Sequence, residues 1–229
     1  VPSSYFIIMR KILLLFLIIS CQPKNHEEAF ELKVGDLLFQ DLDSSPLCNA
    51  IETVTPGFQG ASLSHIGIVI EEKNEVNNSI RILEALPNGV IKTKIDSFLK
   101  RSYDSNNNPK VIVGRLKPNY HHTITNAITF LNSKLGIEYD NEFIIDNEKY
   151  YCSELIYEAF EQDSIFKLIN MTFLDPKNGE TLKIWTDYYS QLGVEIPQDE
   201  LGINPGVMSL SEKIDIVHFY GNPDNIIRK

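Results

Sequence analysis

Three side chains in this sequence could together cleave an acyl bond: Cys152, His65 and Glu84. Cys152 opens the run CSELIYEAF, in which Leu155, Ile156, Ala159 and Phe160 recur at helical spacing, so the thiol falls in the first turn of an amphipathic helix. A helix start carries about half a positive charge, which favours a thiolate, and its unpaired N–H groups can bind an oxyanion. A cysteine there can equally serve as a small buried hydrophobe. His65 lies in the strand-like SLSHIGIVIEE, on the same face as Gly67 and Val69, and Gly67 leaves space above the sheet. An imidazole so placed can take up and return the thiol proton, although a histidine in a strand can also be purely structural. The other histidines are less well placed: His26 is in a polar stretch, His121 and His122 are at a helix start, and His218 is in the last strand. Glu84 belongs to the next strand. If residues 73 to 76 form the turn, the antiparallel register puts Glu84 directly opposite His65, with Cβ atoms about 4.5–5.5 Å apart. A carboxylate there would fix the imidazole tautomer and stabilise its protonated form. A slip of one residue would turn Glu84 to the other face, as an ordinary strand carboxylate.

The elements that must position these groups are readable from hydrophobic patterning. KVGDLLFQ, SLSHIGIVIEE, Ser79 to Leu86, Gly89 to Ile95 and Val111 to Leu116 read as strands, rich in Ile and Val and broken by Asn, Gly and Pro. The polar stretch from Ser102 to Lys110 is a loop. Ile124, Ala127, Ile128, Leu131 and Leu135 mark a helix closed by Gly136. Further helices start at Cys152 and run from about Glu180 to Leu192, ended by Gly193, and Ile214 to Tyr220 returns to strand. Strands followed by helices predict an α+β domain, with an antiparallel sheet of five or six strands curled towards a barrel and packed against the Cys152 helix.

The 229 residues allow one sizeable core. The formal net charge is -10 and no Lys/Arg cluster stands out, which argues against nucleic acid and against a polybasic membrane patch. Arg10 and Lys11 precede the apolar run Ile12 to Ile19, which is shorter than the roughly 20 residues of a membrane span and suits an export signal. Ser20-Cys21 then follows at once, and IISC resembles a bacterial lipobox in which Cys21 would carry lipid. The expected layout is a signal peptide at 1–20, a tether at 21–32 and a catalytic domain at 33–229. Export to the cell envelope, with the membrane touched only through that N-terminal anchor, is the expected location. Neither a Cys/His zinc spacing nor a dinucleotide, P-loop, GxSxG or HExxH fingerprint is present, so neither metal nor cofactor is expected.

The order of motifs is KVGDLLF, SHIGIVI, ILEALPNGV, LGIEYD and then YYCSELIYEAF. It resembles the permuted NlpC-type cysteine hydrolases of the YiiX/YebB-like group, which have a circularly permuted papain-like fold. In unpermuted relatives a G-x-x-Y segment leads into D-C-S-G-L and the histidine strand follows. Here Gly136-Ile137-Glu138-Tyr139 leads into Tyr151-Cys152-Ser153-Glu154-Leu155, and the histidine strand comes first. The resemblance covers about residues 33 to 161, and GINPGVMSLS at 202 to 211 also looks family-like. It implies Cys152 as nucleophile, His65 as base and Glu84 as the orienting residue, acting on an amide of a small peptide or cell-wall fragment through a thioester. Tyr151 and Glu154 depart from the D-C-S-G-L pattern. Tyr139, Asp140 and Tyr151 are candidate substrate contacts, with structural roles as the alternative. Two other functions fit the same residues: a lipid acyltransferase or thioesterase of the permuted group, whose N-C-E-H motif is absent here, and a binding module that keeps only the fold.

Overall fold

Alternation of apolar and polar residues from Leu37 to Leu116 builds the sheet first. The computed structural model describes residues 30–73 and 78–228. The expected export segment and Cys21 lie outside them. Five strands follow in chain order: β1 (Leu37–Gln40), β2 (His65–Lys73), β3 (Asn78–Leu86), β4 (Gly89–Lys94) and β5 (Val111–Leu116). A late strand, β8 (Ile214–Phe219), adds to β5, giving the order β4-β3-β2-β1-β5-β8 with every pairing antiparallel. Among the described residues β4 and β8 remain edges, so the sheet does not close into a barrel. The fold is α+β, and Leu32–Lys229 forms one compact unit.

Among the described residues, six α-helices accompany the sheet: α1 (Pro46–Val54), α2 (Ile95–Leu99), α3 (Ile124–Ser133), α4 (Cys152–Ala159), α5 (Lys183–Leu192) and α6 (Pro205–Met208). A two-residue pair, β6 (Ile169–Asn170) with β7 (Leu201–Gly202), joins the segment before α5 to the one after it. The expected helix boundaries at Cys152 and Gly193 match, and Gly193 takes the left-handed conformation (φ 73°) that ends α5. Helix α1 has no counterpart in the sequence reading. Its signal was local: Ser45 caps it, its hydroxyl accepting from the Cys48 N–H at 3.4 Å, and Pro46 occupies the first turn.

Strand alternation sorts the buried residues. Ile66, Ile68, Ile70, Leu83 and Ala85 join one hydrophobic cluster with Leu155 and Ile156 of α4, which packs on β2 and β3. Residues of the opposite parity, His65, Gly67, Ile82 and Glu84, share a face with Phe98 of α2. A Cβ on Gly67 would press on Ile82 and meet the Phe98 ring at 3.2 Å and the Glu84 Cβ at 3.4 Å.

The β2–β3 register differs from the sequence expectation. Ile68 pairs with Leu83, and the same register one residue further on sets Glu84 opposite Gly67, not opposite His65. The strands run to Lys73 and resume at Asn78, so the connection is centred one residue later than the expected turn. A shift of two residues leaves each side chain on its original face, because strand alternation has a period of two. Glu84 therefore meets His65 diagonally, across the space Gly67 leaves open.

Candidate active site

Cys152 is the first residue of α4 and is buried. Its placement comes from the chain before it. Tyr139 and Tyr150 form an isolated parallel bridge, with the Asp140 N–H donating to the Tyr150 carbonyl at 3.2 Å and the Tyr150 N–H to the Glu138 carbonyl at 3.2 Å. Tyr151 then adopts extended backbone (φ -86°, ψ 167°) and the helix begins. The Glu154 carboxyl reaches back to accept the Tyr151 N–H at 3.3 Å, while the Ser153 hydroxyl donates to the Ile203 carbonyl at 2.9 Å. Both side chains after the cysteine thus hold the helix start in place, which accounts for a glutamate where D-C-S-G-L has glycine. Glu154 is fully buried, and that burial pushes its carboxyl up to about 8, so near neutrality it is chiefly uncharged.

His65 is the first residue of β2, at the end of the sheet where α4 starts. The neighbouring Ser64 is pinned on both sides: its N–H donates to the Gln40 carbonyl at 3.0 Å and its hydroxyl accepts the Leu42 N–H at 3.0 Å. The Ser64 carbonyl lies 4.0 Å from the Cys152 Sγ. The His65 Nε2 meets Glu84 Oε2 at 2.6 Å, and the Cys152 side chain is the other neighbour that favours the protonated ring. The Phe98 ring lies 5.7 Å from the imidazole, centroid to centroid.

Glu84 is fully buried and depends on a cation. Arg101 supplies it in bidentate fashion, Nη1 donating to Oε2 at 2.7 Å and Nη2 to Oε1 at 2.6 Å. Arg101 is held in turn. Its guanidinium lies 5.0 Å from the Phe98 ring centroid, and the Gln40 side chain donates to the Phe98 carbonyl at 2.9 Å, tying α2 to the end of β1. Sequence reasoning missed Arg101, a lone arginine between a short helix and a polar loop. The signal was indirect: a carboxylate placed in a buried sheet requires a partner.

The electrostatics follow from these contacts. Burial works against a charged Glu84, but the Arg101 hydrogen bonds and the His65 contact outweigh it and hold the carboxyl down to about 2. Burial likewise disfavours the imidazolium, yet its neighbours Cys152 and Glu84 outweigh it and lift His65 to about 9. The protonated imidazole is thus the resting form at neutral pH, between a sulfur and a permanent carboxylate.

The other sequence candidates separate. Tyr139 and Tyr151 both line a cavity beside Cys152, and the Tyr151 hydroxyl accepts the Ile203 N–H at 3.3 Å. Asp140 does not line it. Its two oxygens accept the Glu142 and Ile144 N–H groups at 2.8 and 2.7 Å, which organises the loop before Tyr150. Asp36, the other acidic side chain near the strand start, is taken by a bidentate pair with Arg115 at 2.7 Å. Cys48 and Cys152 are both free thiols.

The comparisons with known proteins fit this arrangement. No curated protein sequence matches the chain. The crystal structure of metalloprotein yiiX from Escherichia coli O157:H7 superposes with a TM-score of 0.68 at 19% identity, over 85% of this chain and 100% of that one. The family model of the permuted papain-like amidase enzymes, YaeF/YiiX, C92 family, matches residues 31–218. Nearly the whole described chain, including all three residues of the His65 cluster, falls inside that match, and the protein belongs to the C92 family of permuted papain-like amidases.

Proposed function

We propose that the protein is a cysteine amidase in which Cys152 is the nucleophile, His65 the acid and base, and Glu84 the residue that orients His65. The supporting observation is one imidazole bonded at 2.6 Å to a buried, arginine-clamped carboxylate, with a thiol at a helix start as the other neighbour favouring its proton. The Cys152 thiolate attacks the amide carbonyl carbon, and the backbone N–H groups at the start of α4 face the oxygen that gains charge. His65 gives its proton to the amine as the C–N bond breaks, leaving a thioester on Cys152. Water then loses a proton to His65 and attacks the thioester carbon. The carboxylic acid departs and the thiolate is restored. A peptide-type amide, such as a cell-wall fragment, is the substrate class this reading favours.

The superposed relative is described as a metalloprotein. Among the described residues, the metal-like group of carboxylates is Asp41, Asp43 and Asp224. The Lys110 ammonium already lies among them, at 3.2, 2.7 and 3.2 Å from Asp41, Asp43 and Asp224. Lysine supplies positive charge and three donors to those oxygens, so the group does not fit a divalent cation, and no step is routed through one.

Turnover of a panel of peptide amides tests the assignment. Cys152→Ala should lower kcat by about a thousandfold or more with unchanged circular dichroism. An activated ester of the same acyl group should leave an acyl adduct on Cys152, read by intact-mass and peptide mass spectrometry. Full turnover by Cys152→Ala would overturn the proposal, and a protein inert to every amide and ester would be a binding module.

A further inference from the structure

Beside His65 the surface opens into a depression whose charge is one-sided. Arg101 and His65 line it, together with Ser44, Ser45, Asn141 and Tyr188. No Asp or Glu is among its lining residues, in a chain with 31 acidic and 21 basic side chains. Glu84, the carboxylate that both cations share, is fully buried and does not line the depression. Asp43, next in the chain to Ser44, is held at 2.7 Å by Lys110. Cys152 opens instead on the cavity walled by Ile169, Phe173 and Trp185. A group in the depression therefore meets two cations directly and their counter-charges only at a remove.

Arg101 has hydrogen-bonding capacity left. A guanidinium carries five N–H donors. One on Nη1 and one on Nη2 go to Glu84, at 2.7 and 2.6 Å, and the other three have no acceptor among the described residues. The side chain is 22% exposed, so its head is not sealed in with Glu84. Nε and the Nη beside it form a second edge on which a guanidinium can grip a carboxylate with two hydrogen bonds. The exposed Ser44 hydroxyl and Asn141 amide add uncharged donors to the lining, and the amide's bond to the Tyr139 carbonyl is long, at 3.4 Å. The reaction itself says which half of a substrate lies here. The amine that leaves must lie beside the group that protonates it, and that group, His65, lines this depression.

We infer that the depression is a subsite for a carboxylate carried by the leaving amine and gripped by Arg101, so that the enzyme cuts the last amide of a peptide or of an N-acylated amino acid and releases the free amino acid. This rests on the amidase reading of Cys152 and His65 and narrows it. Arg101 then has two duties, holding Glu84 and binding substrate. A leaving half with a free carboxylate gains charge-assisted hydrogen bonds there. The same half capped as an amide loses the charge, and an ammonium in that place is repelled by both cations.

The test keeps one acyl group and changes only the amine. Mono-N-phenylacetyl derivatives of glycine, glycinamide and ethylenediamine present a carboxylate, a neutral amide and an ammonium at the same place. Isothermal titration calorimetry on Cys152→Ala protein reads their binding without turnover. The glycine compound should bind about tenfold or more tightly than the glycinamide one, and the ethylenediamine compound should be the weakest. The advantage of the carboxylate should shrink as NaCl rises from about 20 to 500 mM. Arg101→Gln in the same background should remove the difference between glycine and glycinamide. That change also strips Glu84 of its cation, so a second variant leaves the relay intact. Ser44→Asp, at an exposed lining position, puts a competing carboxylate in the depression. It should cut the glycine advantage about fivefold or more, with circular dichroism unchanged. Equal affinity for the glycine and glycinamide compounds, preference for the ethylenediamine one, or an advantage that both variants leave untouched would overturn the inference. Wild-type turnover of the same compounds separates the two claims. Cleavage of all three alike refutes the carboxylate subsite and leaves the amidase standing. Preferential binding of the glycine compound with no cleavage of any refutes the amidase and leaves the subsite standing.

Discussion

Cys152 and the buried Glu84 together set the titration of His65. His65 titrates at about 9 instead of 6.5 because Glu84 and Cys152 favour its proton, and Glu84 titrates at about 2 instead of 4.5 because Arg101 and His65 favour its charge. The raised histidine contributes stability that is complete below about pH 6.5 and disappears as pH rises through about 9. The depressed glutamate contributes stability that is complete above about pH 4.5 and is lost as pH falls through about 2. Both contributions are therefore full between about pH 4.5 and 6.5, and each amounts to about 3 kcal/mol at most, with the shared contact counted once. Glu84→Gln removes the negative partner. The basic limb of the pH–rate profile, expected near pH 9 in the wild type, should move down towards 6.5 in that variant. A limb that stays near 9 would mean another group holds the imidazolium. Arg101 acts through Glu84 as a positioning residue: its fork fixes both oxygens, a geometry lysine cannot reproduce.

Strand β2 and its hairpin partner explain both the legible and the illegible parts of the site. The strand spans, the helix start at Cys152 and the shared face of His65 and Glu84 all follow from period-two and period-3.6 patterning, which depends on local sequence alone. Register does not. It depends on where the connection is centred, and a connection one residue later shifts the pairing by two residues. The even offset spared the face, while an odd one would have separated the pair. Arg101 and the cavity wall from Ile169 to Trp185 were invisible for a related reason: their meaning comes from contacts with distant elements. Gly67 is where this geometry is most exposed to mutation. Its missing side chain provides the diagonal space between His65 and Glu84, and an added Cβ would press on Ile82. Gly67→Ala should destabilise the fold by about 1–3 kcal/mol and should lower activity through a displaced Glu84. Thermal unfolding and kcat measured together check this, and an unchanged kcat with lowered stability would mean the carboxylate tolerates the crowding.

The described chain is tied by charge where the end of β1 meets the start of β5. Lys110, just before β5, is buried and reaches Asp41 after β1, Asp43 before α1, and Asp224 in the last segment. The Asp224 N–H also donates to Asp41 at 2.7 Å, which ties the C-terminal segment to the first strand. Burial raises the Asp41 carboxyl, and the Asp224 N–H and the Lys110 ammonium work against it. Lys110→Met should cost about 3–5 kcal/mol, because it leaves buried Asp41 without its cation. Chemical denaturation at neutral pH measures this, and the loss should shrink at low pH, where the carboxylates are neutral. A cost that does not change with pH would assign Lys110 a packing role only. The outer edge, β4, carries Lys92 and Lys94, which discourage pairing with another chain.

The order of the elements also has a consequence in time. His65 and Glu84 belong to one hairpin and leave the ribosome close together, whereas Cys152 is translated well after both. At typical elongation rates the interval is on the order of ten seconds or less. During synthesis the base and its carboxylate can therefore be in place before any thiol exists for them to activate. A nascent chain stalled before Cys152 would carry an assembled proton relay with nothing to attack.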